Sequence, residues 1–265
     1  MNQDQVKEKL LQIENDVEDF KVIFSGKTSK KVNGLYYPEE KEIIIHNKNF
    51  DDDNLLIYTA IHEFAHHVHI SKSPIPVSMR SHTNEFWNTF HNLLIKAEEQ
   101  GIYKNIFQTN NEFVNLTKEI KESYLFKNAE LMKDTGKLLI RAINLCQLYS
   151  VRFEDYVDRA LMITRNTANN MVKIYTMNIN PEIGFDNMKI VSRIKEDEER
   201  KRVENELIDG KTHNMVKAEI QAKKEPKDSI EILENEKIKI ERTIERLNKK
   251  LEIISEKINE LGVSA

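Results

Sequence analysis

One short segment rich in histidine contains the residues best suited to catalysis or metal binding. It reads His62-Glu63-Phe64-Ala65-His66, so two histidines stand four positions apart with a glutamate beside the first. On an α-helix, positions i and i+4 share one face, so both imidazoles can reach one metal ion while Glu63 need not bind it. This spacing is typical of zinc hydrolases, in which zinc activates a water molecule and a carboxylate accepts its proton.

A catalytic zinc needs a third protein ligand, and the sequence offers two candidates. The stretch from Ile70 to Ser81 contains two prolines and several serines, so it is expected to end the first helix before another begins. His82 is therefore placed to return toward the metal, and Glu85, one turn later, could bind it instead. The other nearby histidines are expected to be surface, packing or supporting groups: His46, His67, His69 and His91.

The elements around this motif predict an α+β domain. Apolar residues at helical spacing between residues 6 and 17 predict a first helix. Short apolar segments predict strands at 20–24, 34–37 and 42–45, the last two joined as a hairpin. The strand at 42–45 is expected to pair with an extended substrate. The acidic run from Asp51 to Asn54 supplies a start for the helix that carries the histidines.

The segments HEFAHH and HTNEFW together resemble the SprT-like zinc peptidases over roughly residues 20 to 100. In this minimal zincin group, a helix with two histidines is followed by a loop and by a third histidine that opens another helix. The resemblance implies that His62, His66 and His82 bind zinc and that Glu63 is the general base. Thr83 stands where that family usually has glycine. The ImmA/IrrE-like peptidases, zincins associated with helix-turn-helix regulators, are an alternative relative.

A second pattern lies in the middle of the chain, where strand signals disappear after about Asn115 and an all-α domain is expected. A helical segment from Phe153 to Leu161 is followed by a break at Met162 and by Thr164, which can cap the next helix. Two short helices joined so closely predict a helix-turn-helix. The apolar residues expected between its helices are Val157, Leu161, Ile163, Ala168 and Val172.

The second helix of this pair has a polar face whose residue types contact DNA. Arginine and asparagine read guanine and adenine edges in the major groove, and lysine binds phosphate. The segment ALMITRNTANNMVKIY resembles the helix-turn-helix of ParB-like and phage regulatory proteins, with Met162 at a turn position where glycine is common. The residues expected to be exposed toward DNA are Arg165, Asn166, Thr167, Asn169, Asn170 and Lys173.

The C-terminal segment has apolar residues three and four positions apart from Ile230 to Leu261, with Lys237 at one polar seam position. Such a sustained heptad predicts a coiled coil, and its apolar stripe would be buried in a homodimer or against the same chain. The expected organisation is a zincin-like α+β domain at 1–114, an all-α helix-turn-helix domain at 115–226 and a coiled coil at 227–265.

Composition excludes several classes of protein. The 265 residues contain one cysteine, Cys146, so no internal disulfide can form, which fits a reducing compartment. Apolar runs are too short to span a bilayer and MNQDQVKEKL lacks an apolar signal core, so a cytoplasmic protein without membrane contact is expected. The net charge of −4 does not by itself indicate nucleic acid, so the expectation of DNA binding depends on pattern.

These patterns favour a zinc-dependent endopeptidase that is coupled to a DNA-binding module and acts on a protein substrate. The expected cofactor is Zn²⁺, and a homodimer is expected to form through the coiled coil. The alternative is a DNA-binding regulator or partition-type protein whose zincin-like domain is inactive. A coiled-coil scaffold is a third interpretation, but it leaves the two histidines and the glutamate of the metal motif unexplained.

Overall fold

The computed structural model describes residues 1–73, 82–223 and 229–262. Helices dominate this part of the chain, which also contains one three-stranded sheet. The chain divides into two compact units, one made of Met1–Thr89 with Ile220–Ala265 and the other of Phe90–Glu219. A small sheet near the N-terminal end, followed by helices, is compatible with the expected α+β layout.

A small mixed sheet lies in the first unit. Its strands are β1 (Lys21–Phe24), β2 (Gly34–Tyr37) and β3 (Glu42–Ile45), in the order β1-β3-β2. β2 and β3 form the predicted antiparallel hairpin, and β1 runs parallel to β3. Because β1 and β2 occupy both edges of β3, the prediction that β3 pairs with a substrate is wrong. β2 is instead an edge strand of this sheet, as far as the described residues extend.

Three α-helices begin in the N-terminal segment of the first unit: α1 (Gln3–Ile13), α2 (Asp53–Lys72) and α3 (Asn84–Glu99). The Asp52 carboxylate accepts a hydrogen bond of 2.6 Å from the backbone N–H of Asn54, so the acidic run caps α2 as predicted. The apolar side chains buried on α1, α2 and β3 include Val6, Leu10, Ile13, Ile43, Ile45, Ile57, Ile61 and Phe64.

The second unit is helical throughout the residues described. Its helices are α4 (Ile106–Thr109), α5 (Asn111–Ile120), α6 (Lys127–Leu148), α7 (Phe153–Asp155), α8 (Arg165–Thr176), α9 (Phe185–Val191), α10 (Asp197–Ile208) and most of α11 (His213–Ala222). A π-helical segment, Lys121–Phe126, joins α5 to α6, and another, Tyr156–Ala160, extends α7. The connection between α8 and α9 contains a 3-10 turn at Pro181–Ile183.

Gly136 allows α6 and α8 to pack closely. A Cβ built on Gly136 would overlap the carbonyl oxygen of Met171, a backbone atom that cannot move aside on its own. Since close-packed interiors leave no room for such an atom, a larger residue would separate the two helices. Gly136 therefore determines how near α8 lies to α6.

The division between the two units falls within α3, earlier than the predicted boundary at 114/115. Phe90, Leu93 and Ala97 are buried, and Nδ1 of His91 lies 2.9 Å from the hydroxyl oxygen of Thr212, just before α11. The C-terminal half of α3 thus belongs with the helical unit. The other predicted boundary, at 226/227, lies outside the described residues.

Helix α12 (Ser229–Gly262) is 34 residues long. Its apolar side chains are exposed, so the partner helix of the predicted coiled coil remains a prediction. The exposed stripe includes Ile240, Ile244, Leu247, Leu251, Ile254 and Ile258. Despite its length α12 does not have the hydropathy of a bilayer-spanning segment, and the same is true of every other helix in the described ranges.

Candidate functional site

Helix α2 supports the first two histidines of a candidate metal site. His66 is buried, with 7% of its surface exposed, and His62 is half-buried. Their ring centroids lie 5.3 Å apart because residues four positions apart share one face of the helix. The neighbouring Ile61 and Phe64 are fully buried. The two imidazoles are thus held on a helix that is itself fixed in the core.

His82 completes a three-histidine cluster from the start of α3. The next residue, Thr83, caps this helix: its hydroxyl accepts a hydrogen bond of 3.2 Å from the backbone N–H of Phe86. One ring nitrogen from each of His62, His66 and His82 lies within 4.8 Å of the others. The Nε2 atoms of His62 and His82 are 3.2 Å apart. The helix start that Thr83 creates therefore brings His82 to the pair on α2.

Two of the three imidazoles are held neutral, and one pair of ring nitrogens has the separation expected of two ligands to one metal ion. Burial, with a smaller effect of His82, lowers the pKa of His62 to about 4. Burial, with smaller effects of the neighbouring histidines, lowers the pKa of His66 to about 3. Both rings are therefore neutral near pH 7. Two nitrogens bound tetrahedrally at about 2.0–2.1 Å from zinc would be about 3.3 Å apart, which matches the separation of His62 and His82.

Glu63 is a buried carboxyl outside the set of metal ligands. Its side chain is 8% exposed, and burial raises its pKa to about 7. Its position depends on β2, because a Cβ built on Gly34 would lie 2.8 Å from Cγ and 3.0 Å from Oε1 of Glu63. The carboxyl therefore occupies space that is available only because residue 34 has no side chain.

Gly34 is a site residue that the sequence interpretation missed. It begins β2 and is buried against α2, where its added Cβ would also lie 3.0 Å from Cγ2 of Thr59. Glycine in a strand often marks the close approach of another group, and this signal could have identified Gly34. Its partner on α2 could not be named from strand pattern alone.

Two aromatic residues of α3 pack against the imidazoles. Phe86 is fully buried and stacks on His66, with ring centroids 4.2 Å apart and an interplanar angle of 28°. The ring of Trp87 lies 5.5 Å from that of His82. Such contacts limit rotation of the imidazole rings and favour one arrangement of the cluster.

His67 connects α2 to the edge strand. It is fully buried, and its Nε2–H donates to the carbonyl oxygen of Glu18 at 2.9 Å. Nδ1 is therefore the acceptor of a 2.8 Å hydrogen bond from the hydroxyl of Tyr36, which lies on β2. Burial lowers the pKa of His67, consistent with a neutral ring. His67 thus links α2 to β2 by a hydrogen bond, which is the supporting role that was one of those expected of it from the sequence.

The remaining candidates on this unit lie outside the three-histidine cluster. Nε2 of His69 and Oε1 of Glu85 are buried with no hydrogen-bond partner among the described residues. Nδ1 of His46 lies 2.9 Å from the hydroxyl oxygen of Ser25. Of the two candidates for third ligand, it is His82 rather than Glu85 that lies with the two histidines of α2.

The turn between α7 and α8 has the features predicted for a helix-turn-helix. The hydroxyl of Thr164 caps α8 by accepting from the backbone N–H of Thr167. Met162 adopts the left-handed conformation, with φ of 53°, at the position where glycine is common, and its side chain is 84% exposed. All five predicted apolar residues belong to one packed cluster with Leu139 and Met171.

The polar face of α8 is exposed at four of the six predicted positions. Asn170 is only 9% exposed because it lies one turn before the buried Ile174, so the prediction that it belongs to the exposed face is wrong. Thr167 is half-buried, and its hydroxyl oxygen lies 2.8 Å from that of Thr164. The four exposed residues are Arg165, Asn166, Asn169 and Lys173.

Arg165 forms an ion pair that the sequence interpretation did not anticipate. Its Nε donates to the Asp158 carboxylate at 2.8 Å, across the turn. Hydrogen bonding to Arg165 lowers the pKa of Asp158, and the same hydrogen bond raises the pKa of Arg165. Arg165 would therefore have to exchange a carboxylate partner for a base edge on contact with DNA.

Comparisons with known proteins yield no relative: no family model, curated protein or solved structure matches the chain. Function is therefore inferred from the geometry of the residues themselves. On this basis, the three-histidine cluster with Glu63 and the exposed face of α8 are the two candidate sites.

Proposed function

We propose that the chain is a zinc-dependent endopeptidase. The observation that carries this proposal is the cluster of His62, His66 and His82, whose ring nitrogens lie within 4.8 Å of one another, next to the buried Glu63. Three protein ligands and a nearby carboxylate that is not a ligand are the parts of a catalytic zinc site with a position left for water. Imidazole ligands favour zinc over magnesium or calcium, which prefer oxygen.

Each side chain has a defined task in peptide hydrolysis. A bound zinc ion would supply Lewis acidity and lower the pKa of a coordinated water. His62, His66 and His82 would each bind the ion through one ring nitrogen. Glu63 would accept the proton of the attacking water and deliver it to the amide nitrogen as the C–N bond breaks. The burial of Glu63 limits exchange of that proton with bulk water.

β2 is the strand best suited to hold an extended substrate. One of its edges pairs with β3, and no other strand of the described residues pairs with the opposite edge. A peptide can add to such an edge through backbone hydrogen bonds. Because Gly34 of β2 lies against Glu63, a peptide on this edge would pass near the general base. The substrate would then be an unfolded or locally unfolded protein segment.

DNA binding by α7 and α8 is the second part of the proposal. It is supported by the exposure of Arg165, Asn166, Asn169 and Lys173 on one short helix that follows a tight turn. Arginine and asparagine suit base edges and lysine suits phosphate, so this face has the chemistry of a recognition helix. Joined to a peptidase, it would direct hydrolysis toward proteins near DNA.

Hydrolysis of casein by the zinc-loaded full chain, with and without duplex DNA, tests this function. Glu63→Gln should reduce the rate by about a hundredfold or more while zinc stays bound, because a general base contributes about that much. Glu8→Gln, at an exposed position of α1, is the control and should keep the wild-type rate. DNA binding by a wild-type chain that hydrolyses nothing under either condition would favour a regulator with an inactive zincin-like domain.

A further inference from the structure

A cleft in the helical unit is not used by either proposed activity. Its volume is about 520 Å³, within the range of about 300–1,000 Å³ that is usual for small-molecule sites. α9 and α11 contribute to its lining, and the other lining residues are Ile183, Gly184 and Arg193, which flank α9, and Leu125 and Asn128 near the start of α6. The three histidines of the metal cluster are not among the residues that line it.

Two helices each contribute a pair of basic residues to this cleft. Lys189 lies on α9 and Arg193 just beyond its end, while His213 and Lys217 lie on α11. His213 and Lys217 are four positions apart on α11, a spacing that brings their side chains to one face of that helix. Basic groups from two separate helices therefore converge on one concave surface.

Charge compensation within the cleft is incomplete. Asp186 is the one acidic residue among those lining it, and it forms an ion pair with Lys189. Neither Arg193 nor Lys217 has a carboxylate within ion-pair distance in the described part of the chain. Lys217 is half-buried, so its charge is less fully hydrated than on an open surface. Two uncompensated cations in a concave site attract an anion.

We propose that this cleft binds a small phosphorylated ligand. A phosphate group can accept two parallel hydrogen bonds from the guanidinium of Arg193 and a further one from the ammonium of Lys217. Ile183, Phe185 and Ile190 line the same cleft and offer apolar surface to the organic part of such a ligand. A concave site of this size suits a small molecule, whereas a DNA backbone is bound on a more extended surface.

Calorimetric titration of the full chain with inorganic phosphate, in a phosphate-free buffer at constant ionic strength, tests the proposal. One binding event per chain is expected, and the double variant Arg193→Gln, Lys217→Gln should bind at least about tenfold more weakly. The matched control, Lys137→Gln with Arg141→Gln, makes the same charge change at exposed positions of α6 outside the cleft and should keep the wild-type affinity. The same titration is carried out on His62→Ala. Phosphate binding that is unchanged in this variant does not take place at the metal centre.

Absence of phosphate binding at millimolar concentration, or equal affinity in both double variants, would overturn the proposal. In parallel, the wild type and the cleft variant are titrated with a short DNA duplex. If the wild type does not bind phosphate and the cleft variant loses duplex binding, the cleft is assigned to a nucleic-acid backbone instead. Circular dichroism establishes that the variants are folded. If the double variant unfolds, the single variants Arg193→Gln and Lys217→Gln are titrated in its place, and unchanged affinity in both counts against the proposal.

Discussion

Gly34 and Glu63 pack so closely that a Cβ on Gly34 would lie 2.8 Å from Cγ of Glu63. Gly34→Ala should therefore displace the carboxyl from its place between β2 and α2. We expect hydrolysis to fall about tenfold or more, since displacement of a catalytic group by about 1 Å can cost up to a hundredfold. Zinc content should not change, because Glu63 is not a ligand. Initial rates and elemental analysis of the same preparation measure both quantities.

The test of Gly34 includes a measurement of stability, because a clash can also destabilise the fold. Thermal unfolding of Gly34→Ala is compared with that of the wild type, and rates are measured well below both midpoints. Wild-type hydrolysis by a folded Gly34→Ala protein would show that β2 does not position Glu63.

Zinc content should depend on three histidines and on no other candidate. The full chain is expected to retain about one zinc ion per molecule. His62→Ala and His66→Ala should release it, and His82→Ala should weaken its binding, as elemental analysis after dialysis would record. Stoichiometric zinc in the His62→Ala, His66→Ala double variant would contradict the assignment.

Two controls separate ligands from other residues near the metal site. His46→Ala should retain zinc because the His46 ring lies beside Ser25 and outside the cluster. Glu85→Gln should also retain it, since Glu85 does not lie with the three histidines. Loss of zinc in Glu85→Gln together with retention in His82→Ala would identify Glu85 as the third ligand.

Specific DNA binding should depend on the exposed face of α8. Arg165→Ala is expected to weaken it by about 1–3 kcal/mol if Arg165 contacts a guanine, whereas Lys173→Ala should lower affinity for all sequences and flatten its salt dependence. Fluorescence anisotropy at several salt concentrations distinguishes the two effects. Lys137→Gln, on α6, is the control for a simple loss of positive charge. Unchanged affinity in an Arg165→Ala, Lys173→Ala double variant would remove α8 from the DNA interface.

His91 should make the helical unit less stable in mild acid. Burial, with a smaller effect of His213, lowers the pKa of His91 in the folded chain. The unfolded value is about 6.5, so below that pH the unfolded chain binds a proton that the folded chain does not. The free energy of unfolding should therefore be greatest above pH 6.5 and fall as the pH drops toward the folded pKa. Urea titrations at pH 7.5 and 5.5 measure this fall, and His91→Gln should reduce it.

The exposed stripe of α12 should associate with a second copy. A helix with apolar residues such as Ile244, Leu251 and Ile258 exposed along one seam gains stability by burying them in a two-stranded coiled coil. Sedimentation should show a dimer for the full chain and a monomer for a chain ending at Pro226. A monomer in both cases would mean that the stripe is not a dimer interface.

Local features of the fold and site could be predicted from the sequence. The shared face of His62 and His66 follows from helical geometry over one turn, and the capping roles of Asp52 and Thr164 depend on the next few residues. The β2–β3 hairpin likewise joins neighbours in the chain. In each case the interacting residues are close together in the chain, so a short stretch of sequence includes both of them.

Features that join distant segments could not be predicted in this way. The parallel pairing of β1 with β3, which removes β3 from the sheet edge, skips over β2 in the chain. The approach of Gly34 to Glu63 joins a strand to a helix, and the burial of Asn170 depends on which side of α8 packs in the core. None of these has a periodic signal, because each is decided by tertiary packing.

The shortness of β2 limits how tightly its edge can hold a peptide. The strand has four residues, and backbone hydrogen bonds alternate along such an edge, so it offers about two to four of them at about 0.5–1.5 kcal/mol each. A peptide held by this edge alone would dissociate quickly. Its cleavage would then be governed by local concentration, and a tether that kept enzyme and substrate on one DNA molecule could raise that concentration into the millimolar range. Selectivity would in that case come from co-localisation more than from the peptide sequence.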